Sequence, residues 1–212
     1  MPLAADALAE APAEIPLAAP EPAPGAETAL RTLLHVGCGV AHPDKVPAAY
    51  FAPGAWREVR LDIDPAVAPD IQASITDMGV VPDRSVDAVW SSHNVEHLFA
   101  HEVPLALAEF HRVLRPGGFV LIATPDLQQA AALIAAGQLE EPAYISAMGP
   151  IALVDILYGF RPSIAAGNAF MGHRTGFTAA SLERALLGAG FAAAQVLRDG
   201  RFALWATAVR AG

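Results

Sequence analysis

The stretch that decides the fold runs from Leu33 to Val40 and reads Leu-Leu-His-Val-Gly-Cys-Gly-Val. It is a short apolar run, typical of a buried strand, that ends in Gly-x-Gly. Two glycines directly after a strand let the backbone turn sharply and approach a ligand that a Cβ would repel. A second apolar run ends at Asp62, about 20 residues further on, where a carboxylate can accept hydrogen bonds from ribose hydroxyls. Together these features predict a nucleoside ligand.

The loop after this strand differs from a dinucleotide-binding loop. A dinucleotide loop has a third glycine, which lets a helix pack closely while its N-terminus faces a pyrophosphate. The residues at that place are Val40-Ala41-His42-Pro43. An adenosyl ligand without phosphates therefore fits this loop better than a dinucleotide.

Three further segments follow in a characteristic order: Thr76-Asp77-Met78, the run from Ser85 to His93, and the run from Leu114 to Ile122, which contains Arg-Pro-Gly-Gly. In this order and at this spacing, the chain from about residue 30 to residue 209 resembles the class I S-adenosylmethionine-dependent methyltransferases, in particular the small type 11 group. The resemblance implies S-adenosyl-L-methionine as cofactor. It also implies an α/β fold, a Rossmann-like doubly wound sheet of five parallel strands plus a C-terminal antiparallel hairpin.

The hydrophobic pattern predicts the same alternation of strands and helices. Apolar runs predict strands at residues 30–36, 56–61, 71–75, 86–90 and 119–124. Between the last two, apolar residues at helical spacing predict a helix over 103–114, and Thr178 is expected to cap another that ends near Leu187. Asp199-Gly200 between two apolar runs predicts a hairpin. Three prolines between residues 43 and 53 would limit any helix there to about two turns, around Asp44 to Phe51.

Composition narrows the class of protein. The chain has 212 residues, a formal net charge of −9 and one cysteine. The acidic balance argues against nucleic acid as a partner, and no apolar stretch approaches the roughly 18 residues of a membrane span. We therefore expect no membrane association, and the single cysteine favours the cytoplasm. Residues 1–28, rich in Ala and Pro, are interpreted as a disordered tail, and residues 29–212 as one methyltransferase domain with an acceptor lid expected at about 140–177.

The resemblance implies roles for particular residues. It predicts that the cofactor is bound by Gly37, Cys38, Gly39, Asp62, Ile63, Asp77, Met78 and Ser91. Asp62 would bind the ribose, with Asp64 as the alternative, because the exact end of a strand is uncertain in sequence by a few residues. Asp77 would accept from the adenine amine while Met78 covers the ring, although an Asp at this place could equally cap a helix. Cys38 is interpreted as a small buried residue and not a nucleophile.

The segment His93-Asn94-Val95-Glu96-His97 has a second interpretation. As His-x-x-Glu-His on a helix, it is the pattern of the inverted zincins, in which two histidines four residues apart bind zinc. This pattern follows a predicted strand directly, and the resembling methyltransferases often have Glu-His at this position, beside the methyl end of the cofactor. A metal site is therefore not predicted, and a zinc peptidase is kept as a distant alternative.

The acceptor is predicted by elimination. The chain lacks the Asn/Asp-Pro-Pro-aromatic sequence and the Pro-Cys nucleophile that resembling enzymes use for base or amide nitrogen and for cytosine carbon. A small-molecule acceptor remains, with O-methylation favoured, and a hydroxyl needs a base poised near neutrality. His93, His97 and His173 are the candidates, while Arg161 or Arg174 could bind an acidic acceptor. The alternative is a catalytically silent domain of the same fold.

Overall fold

The computed structural model describes residues 30–146 and 148–212, so the predicted tail at residues 1–28 lies outside the described residues. The strands are β1 Arg31–Val36, β2 Trp56–Asp62, β3 Ile71–Gln72, β4 Val86–Ser92, β5 Leu114–Pro125, β6 Pro142–Ser146, β7 Gly149–Ala152, β8 Ala193–Arg198 and β9 Ala203–Val209. The α-helices are α1 Val103–Val113, α2 Leu127–Ala135, α3 Leu153–Tyr158, α4 Arg161–Ala165 and α5 Ala179–Gly188. Four 3-10 turns lie at Pro43–Lys45, Pro65–Val67, Val95–His97 and Ala169–Met171.

One seven-stranded sheet forms the centre of the fold, in the order β3-β2-β1-β4-β5-β9-β8. The five adjacent strands β3, β2, β1, β4 and β5 are parallel, and β9 runs antiparallel to β5 and to β8. The hairpin predicted at Asp199-Gly200 joins β8 to β9. The predicted fold class is therefore confirmed. The chain also has a separate two-stranded hairpin of β6 and β7, which the apolar pattern did not predict.

The central strands β1, β4 and β5 are buried on both faces, as expected for parallel strands. Alternate residues of β1, β4 and β5 face opposite layers, because side chains alternate along a strand. On one face Leu34 and Val89 pack with Phe110 of α1. The helix predicted over 103–114 is thus present as α1, and α5 begins after Thr178, whose side chain accepts a hydrogen bond from Ser181 N.

The second face is covered in an unusual way. The described residues 37–55 contain no α-helix; the prolines allow a single 3-10 turn at Pro43–Lys45, less than the two turns predicted. Aromatic side chains replace the helix as a cover: Tyr50 stacks on Trp205 with ring centroids 6.2 Å apart, and Phe51 stacks on Phe119 at 5.9 Å. This face of the sheet is therefore covered by aromatic side chains, although the segment between β1 and β2 contains no α-helix.

Residues 140–177, predicted as an acceptor lid, form the β6-β7 hairpin, α3, α4 and a 3-10 turn. The segment is anchored to the main sheet, since the N–H groups of Arg174 and Thr175 both donate to Glu96 O, just after β4. Ile156 of α3 packs in a small core with Phe202, next to β9. The segment therefore lies over the carboxyl ends of β4 and β5.

A membrane-spanning element is not found in the described part of the chain, where every helix is too short or too polar to cross a bilayer.

Candidate functional site

The first of two adjoining cavities lies against the glycine turn after β1, and we name it the glycine-loop cavity. Its volume is about 260 Å³. Parallel α/β sheets bind ligands at the carboxyl ends of their strands, which is where this cavity opens. It is lined by Gly37, Gly39, Lys45, Leu61, Asp62, Ile63, Asp64, Val67, Ala73, Ser74, Ile75, Ser92, His93, Asn94, His97, Leu98, Asn168, Phe170, Met171 and Arg174.

The glycine loop itself requires glycine. Gly37 and Gly39 have φ values of 61° and 57°, in the left-handed region. A Cβ at Gly37 would overlap the side chain of Asn94, and one at Gly39 would overlap Lys45 Nζ. Asn94 Nδ2 is buried and has no hydrogen-bond partner among the described residues. This orphaned donor on the cavity wall is a group that a bound ligand could satisfy.

Asp62 connects the glycine loop to the end of β2. Its Oδ2 accepts from Gly39 N at 2.8 Å, and its Oδ1 accepts from Asp64 N at 2.9 Å. Asp64 also lines the cavity, but its Oδ1 accepts from Ala66 N at 2.9 Å and so caps its own turn. Of the two carboxylates that the sequence offers for the ribose, Asp62 is the one attached to the glycine loop. Ile63 between them is half exposed and also lines the cavity.

Four predicted cofactor residues lie away from the glycine-loop cavity. Met78 is fully buried in the core, and Asp77 Oδ1 accepts from Gly79 N in an exposed turn. Ser91 points into the protein interior. Cys38 lies on the opposite side of the loop, beside a shallow polar cavity. The positions of these side chains do not support the predicted contacts.

Residues close in sequence to three of these four do line the cavity. Ser74 and Ile75, three residues before Asp77 and Met78, line the cavity, and Ser92 lines it in place of Ser91. Ser91 and Ser92 differ in this respect because successive side chains of a strand point to opposite faces. The strand β3 ends at Gln72 and not at residue 75 as predicted, so the chain has already left the sheet before it reaches Asp77.

The thiol of Cys38 is buried and protonated at neutral pH. Burial raises the pKa of Cys38 to about 11, with Asp62 and Glu58 adding to the effect and Arg60 and Lys45 opposing it. Its backbone does contribute to the loop, since Cys38 O accepts from Lys45 Nζ at 3.1 Å. Nucleophilic chemistry at this cysteine is thus disfavoured, as the sequence predicted.

The second cavity lies under residues 140–177, and we name it the lid cavity. Its volume is about 420 Å³, a size suited to a small organic molecule. Apolar side chains form most of its wall, and a few polar groups face it. It is lined by His93, His97, Pro125, Tyr144, Ile145, Ser146, Met148, Ile151, Asp155, Ile156, Phe160, Met171, His173, Arg201, Phe202 and Ala203.

The two cavities meet at three residues, since His93, His97 and Met171 line both. His93 follows β4 directly, and its N–H continues the strand pairing by donating to Ala123 O at 2.8 Å. Its φ of 45° is unusual for a residue other than glycine. All three predicted histidines are thus brought together, with His173 facing the lid cavity.

A buried carboxylate lies among these histidines. Glu96 is 1% exposed; its Oε1 lies 3.3 Å from His93 Nδ1 and its Oε2 accepts from Thr124 Oγ1 at 3.0 Å. Burial by itself would raise the pKa of Glu96, but the interaction with the His93 ring and the charges of His97, His93 and His173 lower it. Glu96 is therefore a charged group at neutral pH.

His97 and His173 have different hydrogen-bonding environments. His97 Nε2 lies 3.0 Å from His93 O, and its Nδ1 lies 3.2 Å from Gly172 O. His173 Nδ1 lies 2.9 Å from Ile156 O, which fixes its proton on Nδ1. Burial lowers the pKa of His173, with Glu96 opposing that effect, so His173 is neutral at pH 7.

Three of these side chains are close enough together to hold a metal ion, because Glu96, His97 and His173 each offer a ligand atom within 4.8 Å of the others. The zinc pattern, however, requires His93 and His97 on one α-helix. These described residues instead form a 3-10 turn at Val95–His97, in which His97 folds back onto His93 O. The structure therefore lacks, in these residues, the helix on which the zinc peptidase alternative depends.

The two candidate arginines are both placed away from the lid cavity. Arg161 donates to the buried carboxylate of Asp155 at 2.7 Å and also pairs with Glu140. Arg174 lines the glycine-loop cavity and lies over the ring of Phe99, 4.8 Å from its centroid. The clamp predicted for an acidic acceptor is therefore not assembled from Arg161.

Comparisons with known proteins agree with this geometry. Residues 34–122 match the family model Methyltransf_11, described as a methyltransferase domain. A probable S-adenosylmethionine-dependent methyltransferase of Mycolicibacterium smegmatis is 32% identical over 105 residues, which are 45% of this chain. The chain spans 38% of that relative's length.

Solved structures match over most of the chain. A SAM-dependent methyltransferase from Archaeoglobus fulgidus matches with a TM-score of 0.56 at 13% identity, over 86% of this chain and 87% of that one. A 1,6-didemethyltoxoflavin-N1-methyltransferase from Burkholderia thailandensis, solved with 1,6-didemethyltoxoflavin and S-adenosylhomocysteine, matches with a TM-score of 0.51 at 16% identity, over 86% and 72%. At these identities the matches show the fold.

The predicted resemblance to the S-adenosylmethionine-dependent methyltransferases is confirmed by sequence in residues 34–122 and by fold over most of the chain. Residues 34–122 are thus similar to a methyltransferase domain, and S-adenosyl-L-methionine is the cofactor that this resemblance implies.

Proposed function

We propose that the protein transfers a methyl group from S-adenosyl-L-methionine to a small-molecule acceptor. One observation carries the proposal: two cavities of different character adjoin, and they share His93, His97 and Met171. A methyltransferase needs this arrangement, because the donor and the acceptor must meet in line at one point while water is excluded.

The glycine-loop cavity suits the cofactor. Its glycines leave room that a Cβ would fill, and Asp62 lies where ribose hydroxyls would donate. Asn94 Nδ2 is an orphaned donor among the described residues, and Lys45 brings a positive charge to the same wall. We infer that Asn94 and Lys45 bind the methionine part of the cofactor, because the segment between β1 and β2 has no α-helix that could contribute to this binding. When bound, the cofactor supplies an activated methyl group on a sulfonium.

The lid cavity suits a largely apolar acceptor. Tyr144, Ile151 and Phe202 contribute apolar surface, and the histidines are the polar groups closest to the cofactor side. We infer that residues 140–177 act as the acceptor lid, and that the acceptor is a largely apolar molecule with a weakly acidic hydroxyl, such as a phenol or an enol. A histidine base matches such a hydroxyl near neutral pH.

A catalytically silent domain of the same fold is the second candidate, and the lack of an α-helix in the described segment between β1 and β2 favours it. A silent domain could bind the cofactor without turnover. It would have no need of three histidines at the mouth of the lid cavity, which favours the enzyme.

The single cysteine, Cys38, is consistent with a reducing compartment such as the cytoplasm.

Calorimetric titration with S-adenosylhomocysteine tests the cofactor, and release of S-adenosylhomocysteine from the methyl donor in a screen of phenols, enols, amines and carboxylates tests the acceptor. Binding with turnover of a phenol or enol supports the full proposal. Binding without turnover across the screen supports the silent domain. Absence of binding by the folded protein overturns both.

A further inference from the structure

Glu96, on the turn after β4, has one carboxylate oxygen that is hydrogen-bonded and one that is not. Its Oε2 accepts from Thr124 Oγ1 at 3.0 Å. Its Oε1 has no hydrogen-bond partner among the described residues; His93 Nδ1 lies 3.3 Å from it without making a hydrogen bond. The side chain is 1% exposed, so bulk water does not reach this oxygen. A buried carboxylate oxygen without a partner is costly, and a bound cation is one group that would satisfy it.

His173 brings a ring nitrogen to the same place from residues 140–177. Its Nδ1 lies 2.9 Å from Ile156 O and donates to it, which leaves Nε2 with the lone pair that a metal ion binds. The backbone keeps His173 beside Glu96, because the N–H groups of the next two residues, Arg174 and Thr175, both donate to Glu96 O. The imidazole and the carboxylate are thus held together by contacts that involve no ligand.

His97 lies next to both groups, with its ring centroid 5.1 Å from that of His173. Its Nε2 and Nδ1 face the carbonyl oxygens of His93 and Gly172, at 3.0 Å and 3.2 Å. A neutral imidazole has one N–H and donates to one of these oxygens only, so its other nitrogen turns a lone pair toward an oxygen. Either a second proton or a metal ion would remove the repulsion between them.

We propose that Glu96, His97 and His173 form a binding site for a divalent transition-metal ion such as Zn²⁺. One ligand atom from each lies within 4.8 Å of the others. An ion binds such atoms at about 2.0–2.2 Å, so a closure of the side chains on the order of 1 Å completes the site. Two imidazoles and one carboxylate are a donor set that Zn²⁺ accepts with a position left open. The hydrogen bonds from Thr124 and to Ile156 orient two of the ligands from behind, as is usual for metal ligands.

This set differs from the inverted zincin pattern, because its second histidine is His173 and not His93. The ion would therefore join the turn after β4 to residues 140–177 and stabilise the position of the lid. His97 and His173 both line the lid cavity, so the open position of the ion would face that cavity. The role of the ion there rests on the proposed function: an ion with an open position binds an oxygen of the acceptor and lowers the pKa of a hydroxyl.

Titration calorimetry with Zn²⁺ tests the site in the full chain, after dialysis against dipicolinate and then against chelator-free buffer. We expect one equivalent of Zn²⁺ to bind, with a Kd raised about 100-fold or more in each of Glu96→Gln, His97→Gln and His173→Gln. Thr124→Val keeps the carboxylate but removes its supporting hydrogen bond, so it should raise the Kd about 10-fold. His101→Gln is the matched control: this exposed histidine does not line the lid cavity, and its Kd should stay within about twofold of the parent.

Thermal unfolding gives a second measurement that needs no acceptor. Zn²⁺ in 100-fold excess over its Kd should raise the Tm of the parent by about 5 °C or more, because the ion binds the folded chain only. The rise should disappear in His173→Gln and persist in His101→Gln. His173→Gln also serves if Glu96→Gln does not fold.

Three results would overturn the proposal. The parent binds no stoichiometric Zn²⁺, which would assign a second proton to His97; or Glu96→Gln and His173→Gln bind Zn²⁺ as the parent does; or binding is lost in His93→Gln but kept in His173→Gln. Titration with S-adenosylhomocysteine separates this site from the proposed function, since Glu96 and His173 do not line the glycine-loop cavity. A parent that binds Zn²⁺ but no S-adenosylhomocysteine would contradict the proposed function and support the metal site.

Discussion

Asp62 should contribute both to the order of the glycine loop and to cofactor binding, so Asp62→Ala is the most informative single change. Its two oxygens accept from Gly39 N at 2.8 Å and from Asp64 N at 2.9 Å. Removing the carboxylate leaves both N–H groups without their acceptor, at about 1 kcal/mol each for partly buried groups. The free energy of unfolding should therefore fall by about 2 kcal/mol, or about 4–8 °C in Tm for a domain of this size.

The affinity of the folded Asp62→Ala variant for S-adenosylhomocysteine should also fall. The ribose hydroxyls lose a charged acceptor, and the loop that approaches the nucleoside loses its tie to β2. We expect a Kd raised by about 10- to 100-fold, equivalent to about 1.4–2.7 kcal/mol. Calorimetric titration of the folded variant measures this, and differential scanning fluorimetry gives the Tm.

Asp64→Ala is the matched control, because Asp64 lines the same cavity but caps its own turn through Ala66 N. Its Kd should stay within about threefold of the parent, since the loss of an exposed cap costs about 1 kcal/mol or less and touches no loop contact. Parent-like affinity in Asp62→Ala would refute the assignment. A large loss in Asp64→Ala would transfer the ribose role to Asp64.

Four other measurements have definite expected outcomes. Gly37→Ala should abolish detectable S-adenosylhomocysteine binding in calorimetry and lower the Tm, because the new Cβ overlaps Asn94 and the φ of residue 37 is 61°. Combining it with Asn94→Ala removes the overlap and should restore part of the lost Tm. Lys45→Gln should weaken S-adenosylhomocysteine about 5-fold or more by calorimetry but leave adenosine within about twofold, because the role proposed for the charge is to bind the methionine part, which adenosine lacks. Cys38, with a pKa raised to about 11, should resist iodoacetamide at neutral pH until urea unfolds the protein, as followed by mass spectrometry. Glu96 has its folded-state pKa below the ordinary value of 4.5, so its contribution to stability is present above that pH and is lost on acidification; urea melts at about pH 6 and about pH 3 should show a larger loss in the parent than in Glu96→Gln.

The parts of the fold that follow from periodicity were predictable from sequence. The helix α1 lies within one residue of its predicted end because its apolar face is regular, and the turn at Asp199-Gly200 carries its own backbone signal. The β6-β7 hairpin escaped prediction because its residues are mostly half-buried and so have no strict alternation of apolar and polar side chains. The cover formed by Tyr50 and Phe51 depends on contacts with strands distant in sequence.

The candidate site divides in the same way. Gly37, Gly39 and Asp62 could be predicted as site residues because each lies at the end of a strand that the apolar pattern identifies: the glycines follow β1, and Asp62 is the last residue of β2. All three line the glycine-loop cavity. Ser74 and Asn94 could not be selected from the sequence, since their place in the cavity depends on where β3 ends and on how the chain turns after β4. An orphaned amide such as Asn94 Nδ2 is recognisable when the burial of its surroundings is known.

The choice among the three histidines illustrates what tertiary contacts add. Sequence offers His93, His97 and His173 as candidate bases, but a base must reach the point where donor and acceptor meet. His173 lines the lid cavity and not the glycine-loop cavity, and the ring nitrogens of His97 are both directed at carbonyl oxygens. His93 lines both cavities and has a carboxylate behind Nδ1. We therefore propose His93 as the base at the junction, because of the three histidines it lines both cavities without having both ring nitrogens directed at the carbonyl oxygens that His97 faces.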